Sequence, residues 1–314
     1  MPHWSDQMAP TYIANVANRY MVDKPLSAFD IFPMVTTQKL TGYIGTYTKA
    51  DWLRIGGTDL YKRIGATESF GDDFAVSKVT YLVEQFSFHK DITRDDMNEY
   101  DNPFSPVNDA VDFVMTRMNR VLLKELITTF FTTSLWSGAA DQNLTSTKWD
   151  AKTSGISVND PIAHINVGCA GVMKQTGYNP NKLVLTWDAY NALLSNTFIT
   201  DRMKLTSDKI VTADLLARLF QVEQVIVIDA VNEAGTDFLA TTRGLLCYTP
   251  SSPSKFSPSA GYSLLYTGGD IGRSVKTRKI IMPEKNDAVR IEADMYVDQL
   301  ILGADLGVYF YNMV

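Results

Sequence analysis

Three histidines (His3, His89 and His164) and two cysteines (Cys169 and Cys247) are all that this 314-residue chain offers for imidazole or thiol chemistry. The histidines fit no metal-ligand spacing, and neither H-E-x-x-H nor C-x-x-C occurs. His164 falls on the first turn of a helix opened by Pro161, where a surface or satisfied core histidine is the plain expectation. No G-x-S-x-G elbow, P-loop or G-x-G-x-x-G turn is present. Gly56-Gly57 and Gly268-Gly269 lack the flanking strand and helix of a phosphate cradle and read as turns. Asp91, Asp95, Asp96, Glu99 and Asp101 crowd one connector, but it lacks the central glycine and closing glutamate of an EF-hand. It reads as a solvated acidic segment that favours the positive end of the following helix. Both cysteines sit in apolar stretches and read as small buried hydrophobes. No catalytic, cofactor-binding or metal-ligating residue emerges, so the chain reads as non-enzymatic and without a cofactor.

Composition narrows the classes further. With 45% hydrophobic and 20% charged residues the chain has ample surface to bury, which excludes disorder as its main state. A net charge of −6 argues against a dedicated nucleic-acid binder. No stretch approaches the roughly 18 apolar residues of a membrane span, and Met1–Asp6 lacks the pattern of a signal peptide. The expectation is a soluble chain made in the cytoplasm, with no membrane partner.

Two patterns remain that could do work. Arg273, Lys276, Arg278 and Lys279 form the one dense basic patch, and on an alternating strand they fall on both faces. A charge-guarded edge strand, ion pairs to a neighbouring subunit, and weak nucleic-acid contact all fit it. The second pattern is aromatic. Trp4, Tyr12, Tyr20, Phe29 and Phe32 precede any domain core, and Tyr43, Tyr47, Trp52, Tyr61 and Phe70 lie on a glycine-rich, charged stretch over 40–75. That stretch reads as a two-stranded arm with too little core of its own, and an isolated hairpin is marginal in water. Aromatic residues are enriched at protein interfaces, so the arm is expected to lie on a partner.

The elements that position these patterns are legible in outline. Alternation predicts strands over 40–48 and 76–92. Ser105-Pro106 opens a long helix to about Thr133, with Val111, Val114, Met115, Met118, Val121, Leu122, Leu126 and Phe130 at helical spacing. A polar linker is expected over 137–159. Asp160-Pro161 then opens a helix that Gly177 ends, followed by strand 182–186, helices 188–195 and 212–220, and strand 225–228. The inserted unit closes with strands near 244–248 and 262–266. Strands over 274–282, 288–296 and 305–311 return as an antiparallel sheet that the long helix is expected to cover. The fold class is α+β.

This order of parts resembles the major capsid protein of tailed bacteriophages, the Hong Kong 97-type capsid fold, over essentially the whole chain. Asp30-Ile31-Phe32-Pro33-Met34-Val35 and Asp160-Pro161 share in the likeness. Its most telling part is Thr176-Gly177-Tyr178-Asn179-Pro180-Asn181-Lys182-Leu183-Val184-Leu185 with Trp187 and Leu193, since many members carry a G-x-x-P-N strand followed by a helix. The resemblance implies an N-terminal arm over 1–39 and an extended loop over 40–76. It implies a peripheral domain over 77–150 and 268–314, and an axial domain over 151–267. Copies would form hexamers and pentamers that close an icosahedral shell around double-stranded DNA, bound without sequence specificity. The location implied is the virion, after assembly in the host bacterial cytoplasm.

No long scaffold-like N-terminal segment is written in the sequence, so either a separate scaffolding protein or a chain already written in its mature form is expected, with a portal and possible decoration proteins. The Lys–Asn cross-link of one relative is not carried over, because no activating glutamate can be placed. Assembly contacts are expected from Trp52, Arg54, Asp59, Tyr61, Lys62, Arg63 and Glu68 on the arm, and from Arg273, Lys276, Arg278 and Lys279. Two rivals stay open: an encapsulin-type compartment, which shares the fold, and an α/β enzyme with a carboxylate-based site.

Overall fold

A stripe of apolar residues along one helix has to be covered, and the strand segments must supply the cover. The computed structural model describes residues 28–47, 53, 65, 76–99, 105–150, 159–206, 211–253, 257–268 and 275–314. In chain order its elements begin with α1 (Ala28–Ile31), β1 (Met34–Thr37), β2 (Thr41–Tyr47), β3 (Val76–Leu82), β4 (Glu84–Ile92) and α2 (Arg94–Glu99). They continue with α3 (Pro106–Phe130), β5 (Gln142–Asn143), α4 (Pro161–Thr176), β6 (Lys182–Thr186), α5 (Trp187–Ser195), α6 (Thr197–Thr206), α7 (Ala213–Phe220) and β7 (Gln224–Ile228). The last are β8 (Arg243–Cys247), β9 (Gly261–Tyr266), β10 (Lys276–Met282), β11 (Ala288–Ile301) and β12 (Gly307–Tyr311).

The long helix α3 has 25 residues and stops at Phe130, short of the expected Thr133. Ser105 has the extended backbone of an N-cap, yet its side chain makes no capping hydrogen bond. Val111, Val114, Met115, Met118, Leu122, Leu126 and Phe130 are buried against β4 and β11, while Val121, expected beside them, is 50% exposed. Helix α4 is bounded as its sequence predicts. The Asp160 carboxylate accepts the Ile162 N–H at 2.9 Å, and Gly177 adopts φ 78°, a left-handed cap that suits glycine.

Two five-stranded sheets carry the core. In the first, the 14-residue β11 pairs antiparallel with β10, β4 and β9, and β1 joins parallel to β9. In the second the order is β5-β12-β8-β6-β7. A separate two-stranded ribbon, β2 with β3, runs from Thr41↔Leu82 to Tyr47↔Val76.

Three expectations are corrected. Strand β9, placed by its sequence position at the end of the inserted unit, pairs with β11 through Val297↔Leu265 to Ile301↔Gly261. Strand β12, expected in the returning sheet, instead pairs with β8 and β5 in the second sheet. The reason is length. Beyond its pairing with β10, β11 runs on for enough residues to take β9, and a tight turn at Ala304–Leu306 then sends the chain to the other sheet. The polar linker is also more structured than expected over 137–150: Leu144 and Trp149 are buried, and the Trp149 backbone N–H donates to the Met313 carbonyl at 2.8 Å. The Trp149 indole N–H donates to His164 Nδ1 at 3.1 Å, which gives that histidine a hydrogen-bonded structural place.

The segment 28–37 ties both sheets together. Phe32 is fully buried and stacks on Phe130 with ring centroids 4.3 Å apart. Lys182, at the start of β6, donates its ammonium protons to the Asp30 and Ile31 carbonyls at 2.8 and 3.0 Å. Burial lowers the Lys182 pKa, and these carbonyls satisfy its protons. Replacing Phe32 by alanine opens a cavity under α3 and is expected to cost about 3 kcal/mol. Thermal unfolding of Phe32→Ala against the parent chain measures it.

Candidate functional site

The β2–β3 ribbon is an element that the described residues leave largely uncovered. No described side chain of Thr41–Thr46 or Ser77–Leu82 is buried, and Tyr43 and Leu82 are 62% and 59% exposed. What order it has is made locally. Tyr81 lies across Gly42, its cross-strand partner, where an added Cβ would sit 2.7 Å from the phenol oxygen, so a larger residue would push the ring aside. The Tyr81 and Thr37 hydroxyls share a hydrogen bond of 2.9 Å, and the Lys78 ammonium stands 4.5 Å from the Tyr43 ring centre. At the root, the Val83 N–H donates to the Leu40 carbonyl and the Leu82 N–H to Asp298 Oδ2, at 2.9 and 3.1 Å. The arm residues Trp52, Arg54, Asp59, Tyr61, Lys62, Arg63 and Glu68, and also Arg273, lie outside the described residues.

The remaining basic residues are on β10, at the end of the first sheet. Lys276 and Arg278 share one face of this strand and Lys279 lies on the other. Arg278 is not spare for a neighbour: its guanidinium bonds Glu292 at 2.7 Å and Asp294, both on β11. Cross-strand register makes that pairing, and the spacing of charges along one strand does not reveal it. The acidic connector is likewise partly structural. Asp91, next to the end of β4, takes two hydrogen bonds from Arg290, at 2.7 and 2.9 Å, with Lys285 at 3.5 Å. The Arg290 bond is the main reason its pKa is lowered, to about 2.

Chemistry beyond contact is sparse. Among the described residues no group of His, Cys, Asp and Glu could hold a metal ion, and no helix is long and apolar enough to cross a membrane. Burial pushes the Cys247 thiol up to about 12 and also raises that of Cys169, so both are held as thiols rather than reactive thiolates. Exposed apolar side chains are instead spread over several elements: Phe113 on α3, Val167 and Met173 on α4, and Ile281 on β10. Such an array suits contact surfaces better than a single cleft.

Known proteins show the same architecture. A phage-related protein from Bordetella bronchiseptica RB50 superposes with a TM-score of 0.72 at 16% identity, covering 98% of both chains. The capsid of cyanophage P-SCSP1u matches with a TM-score of 0.55 at 11% identity, over 92% of this chain and 88% of that one. The chain has the Hong Kong 97-type capsid fold. The SrpI encapsulin of Synechococcus elongatus PCC 7942 shares this capsid fold, with a TM-score of 0.57 at 10% identity and the same coverage, 92% and 88%. In sequence, the chain is 31% identical over 157 residues to the major capsid protein of Burkholderia phage BcepMu, 48% of this chain. It therefore spans about half, 49%, of the curated relative it matches. No protein-family profile matches the chain.

Within this capsid fold, the sequence missed two features that depend on distant partners. One is Lys182, which looks like the polar edge of a buried strand; its only sequence signal is a lysine beside the run Leu183–Thr186. The other is Asp298, whose Oδ2 accepts the Leu82 N–H at 3.1 Å at the ribbon root, for which local sequence holds no signal. The Asp91–Arg290 pair carries a pH signature. Because the folded pKa of Asp91 lies below the ordinary 3.8, its stabilisation is present above that value and is lost as pH falls towards about 2. Acid unfolding of Asp91→Asn is expected to show a lower stability at neutral pH and a shallower loss across that window, followed by circular dichroism.

Proposed function

We propose that the chain is the major capsid protein of a tailed bacteriophage, a structural subunit that assembles with copies of itself. The observation that carries this reading is the two-stranded ribbon with no buried side chain among its described residues, borne on a capsid fold. A ribbon of that size is marginal alone, and aromatic and apolar residues left in water along it favour burial against another surface. The likeness to the BcepMu capsid protein points to the same role.

On this reading residues 1–39 are the N-terminal arm and 40–76 the extended loop. The peripheral domain is built on α3 and the first sheet, and the axial domain on the second sheet with α4 to α7. Hexamers and pentamers close a shell around double-stranded DNA, in a virion assembled in the host cytoplasm with a scaffolding protein and a portal. The loop lies over a neighbouring subunit, where Trp52 and Tyr61 supply buried area while Arg54, Asp59, Lys62, Arg63 and Glu68 set register. Exposed ion pairs contribute only about 0–1 kcal/mol each, so they select geometry more than they stabilise. On β10, Lys279 is the residue offered to a neighbour, whereas Arg278 holds its own sheet.

An encapsulin-type shell is the second reading, because the encapsulin and the cyanophage capsid superpose about equally well, with TM-scores of 0.57 and 0.55. The 31% identity to a phage capsid protein favours the phage role. Against the third, an α/β enzyme with a carboxylate-based site, stands a capsid fold without an assembled carboxylate pocket among the described residues.

Deleting residues 52–70 and examining the purified protein by negative-stain microscopy tests the reading. Folded protein that no longer closes shells is expected, and normal shells from the deletion would overturn the loop's role. A second outcome follows from the charge of −6. Isolated capsomers are expected to bind duplex DNA weakly, with a shallow dependence on salt, because few phosphates are neutralised. Filter binding across a salt series checks it, and a steep slope would contradict the reading.

A further inference from the structure

We infer that the cleft at the C-terminal end of α3 is a docking site for an acidic peptide of a partner protein, which seats an apolar side chain between Lys124 and Arg243. The cleft measures about 440 Å³, within the range of sites that hold small ligands. Lys124 and Thr128 line it from α3 and Phe131 from just beyond the helix end. Leu239 lines it from the chain before β8, and Arg243 and Tyr309 from β8 and β12. Its floor is apolar. Phe131 and Tyr309 are each 2% exposed and meet edge to face, with ring centroids 6.3 Å apart.

The residues lining the cleft carry two positive charges and no negative one. Arg243 donates to the Phe131 carbonyl at 3.4 Å, and among the described residues no carboxylate pairs with it. Lys124 stands 3.9 Å from Glu233, an exposed pair that costs little to exchange for another carboxylate. The Asp141 charge reaches Tyr309, but its carboxylate is outside the lining and accepts the Ser134 N–H at 2.5 Å. The negative end of α3 opposes an anion. That opposition is blunted, because the Trp136 indole N–H takes the Phe130 carbonyl at 2.8 Å and Arg243 takes that of Phe131.

The polar groups favour a peptide over a nucleic acid. No described residue bonds the Tyr309 hydroxyl, although the side chain is buried. Burial raises its pKa, with the Arg243 charge opposing the rise, so at neutral pH the hydroxyl is a donor. The Thr128 and Thr132 hydroxyls donate to the Lys124 and Thr128 carbonyls at 2.8 and 2.9 Å, which leaves their oxygens as acceptors. A peptide supplies carboxylates for the cations and N–H groups for these oxygens. A phosphodiester backbone has no N–H to offer. An approach is laid out as well. Arg117, Val121, Lys124 and Thr128 are exposed and stand three or four residues apart, so they form one row along α3 that runs into the cleft. An apolar residue flanked by two cations complements an acidic amphipathic segment.

Fluorescence anisotropy of the purified full chain with a labelled peptide tests the inference, and shell assembly does not enter it. The probe carries one Phe between Asp and Glu residues, with Ser and Ala elsewhere. Saturable binding is expected, weakened about tenfold when Asn and Gln replace the acids and several-fold when Ala replaces the Phe. Arg243→Gln is expected to weaken binding about tenfold, and the more exposed Lys124→Gln about threefold. Tyr309→Phe removes a hydroxyl that no described residue holds, so it is expected to leave thermal unfolding unchanged while weakening binding several-fold. That variant decides the matter if Arg243→Gln does not fold. Absence of saturable binding would overturn the inference, as would equal binding of the neutral peptide, or an affinity unchanged in both Lys124→Gln and Tyr309→Phe. Duplex DNA that displaces the peptide at matched charge, with the same losses in the variants, would assign the cleft to nucleic acid instead. Self-association in sedimentation that these variants abolish would make it a contact between copies, and equally refute a partner peptide.

Discussion

The apolar stripe of α3 is the constraint from which the rest of the molecule follows. A helix about 37 Å long at 1.5 Å per residue cannot bury one full face on its own neighbours in sequence. It needs a broad surface, and β4 and β11 supply that surface only because their pairing aligns Phe86, Phe88 and Met295 with the helix. Strands separated by nearly 200 residues must therefore meet before the helix is covered. The second sheet is joined to the first through the chain itself, since β12 follows β11 directly.

Segment 28–37 links these layers by two different kinds of force. Phe32 contributes buried area against Phe130 and is insensitive to charge. Lys182 contributes directed hydrogen bonds to the carbonyls at the end of α1, a short helix whose carbonyls would otherwise have to find partners. Electrostatics elsewhere in the first sheet follow the same logic of pairing across strands. Arg278 with Glu292 and Asp294, and Arg290 with Asp91, fasten β10, β11 and β4 in register.

A contact-based function fits this distribution. The buried core holds no described residue of the ribbon strands, which leaves them available for another surface. Modest contacts repeated many times allow wrong associations to dissociate, which a single strong interface would prevent.

Local sequence determined a good deal here. Asp160-Pro161 and Gly177 bound α4, the spacing from Val111 to Phe130 marks the buried face of α3, and alternation with glycine marks the ribbon. The dearth of histidine, cysteine and nucleophile motifs directed attention to contact rather than catalysis. These are short-range signals, because caps, periodicity and composition act within a turn or two of chain. Tertiary structure alone decided that β9 and β12 exchange sheets, that Arg278 is used internally, that Trp149 packs into a core, and that Asp298 accepts the Leu82 N–H. Each of those outcomes depends on register between strands far apart in sequence, where many partners are locally equivalent and only the packing of the whole chooses among them.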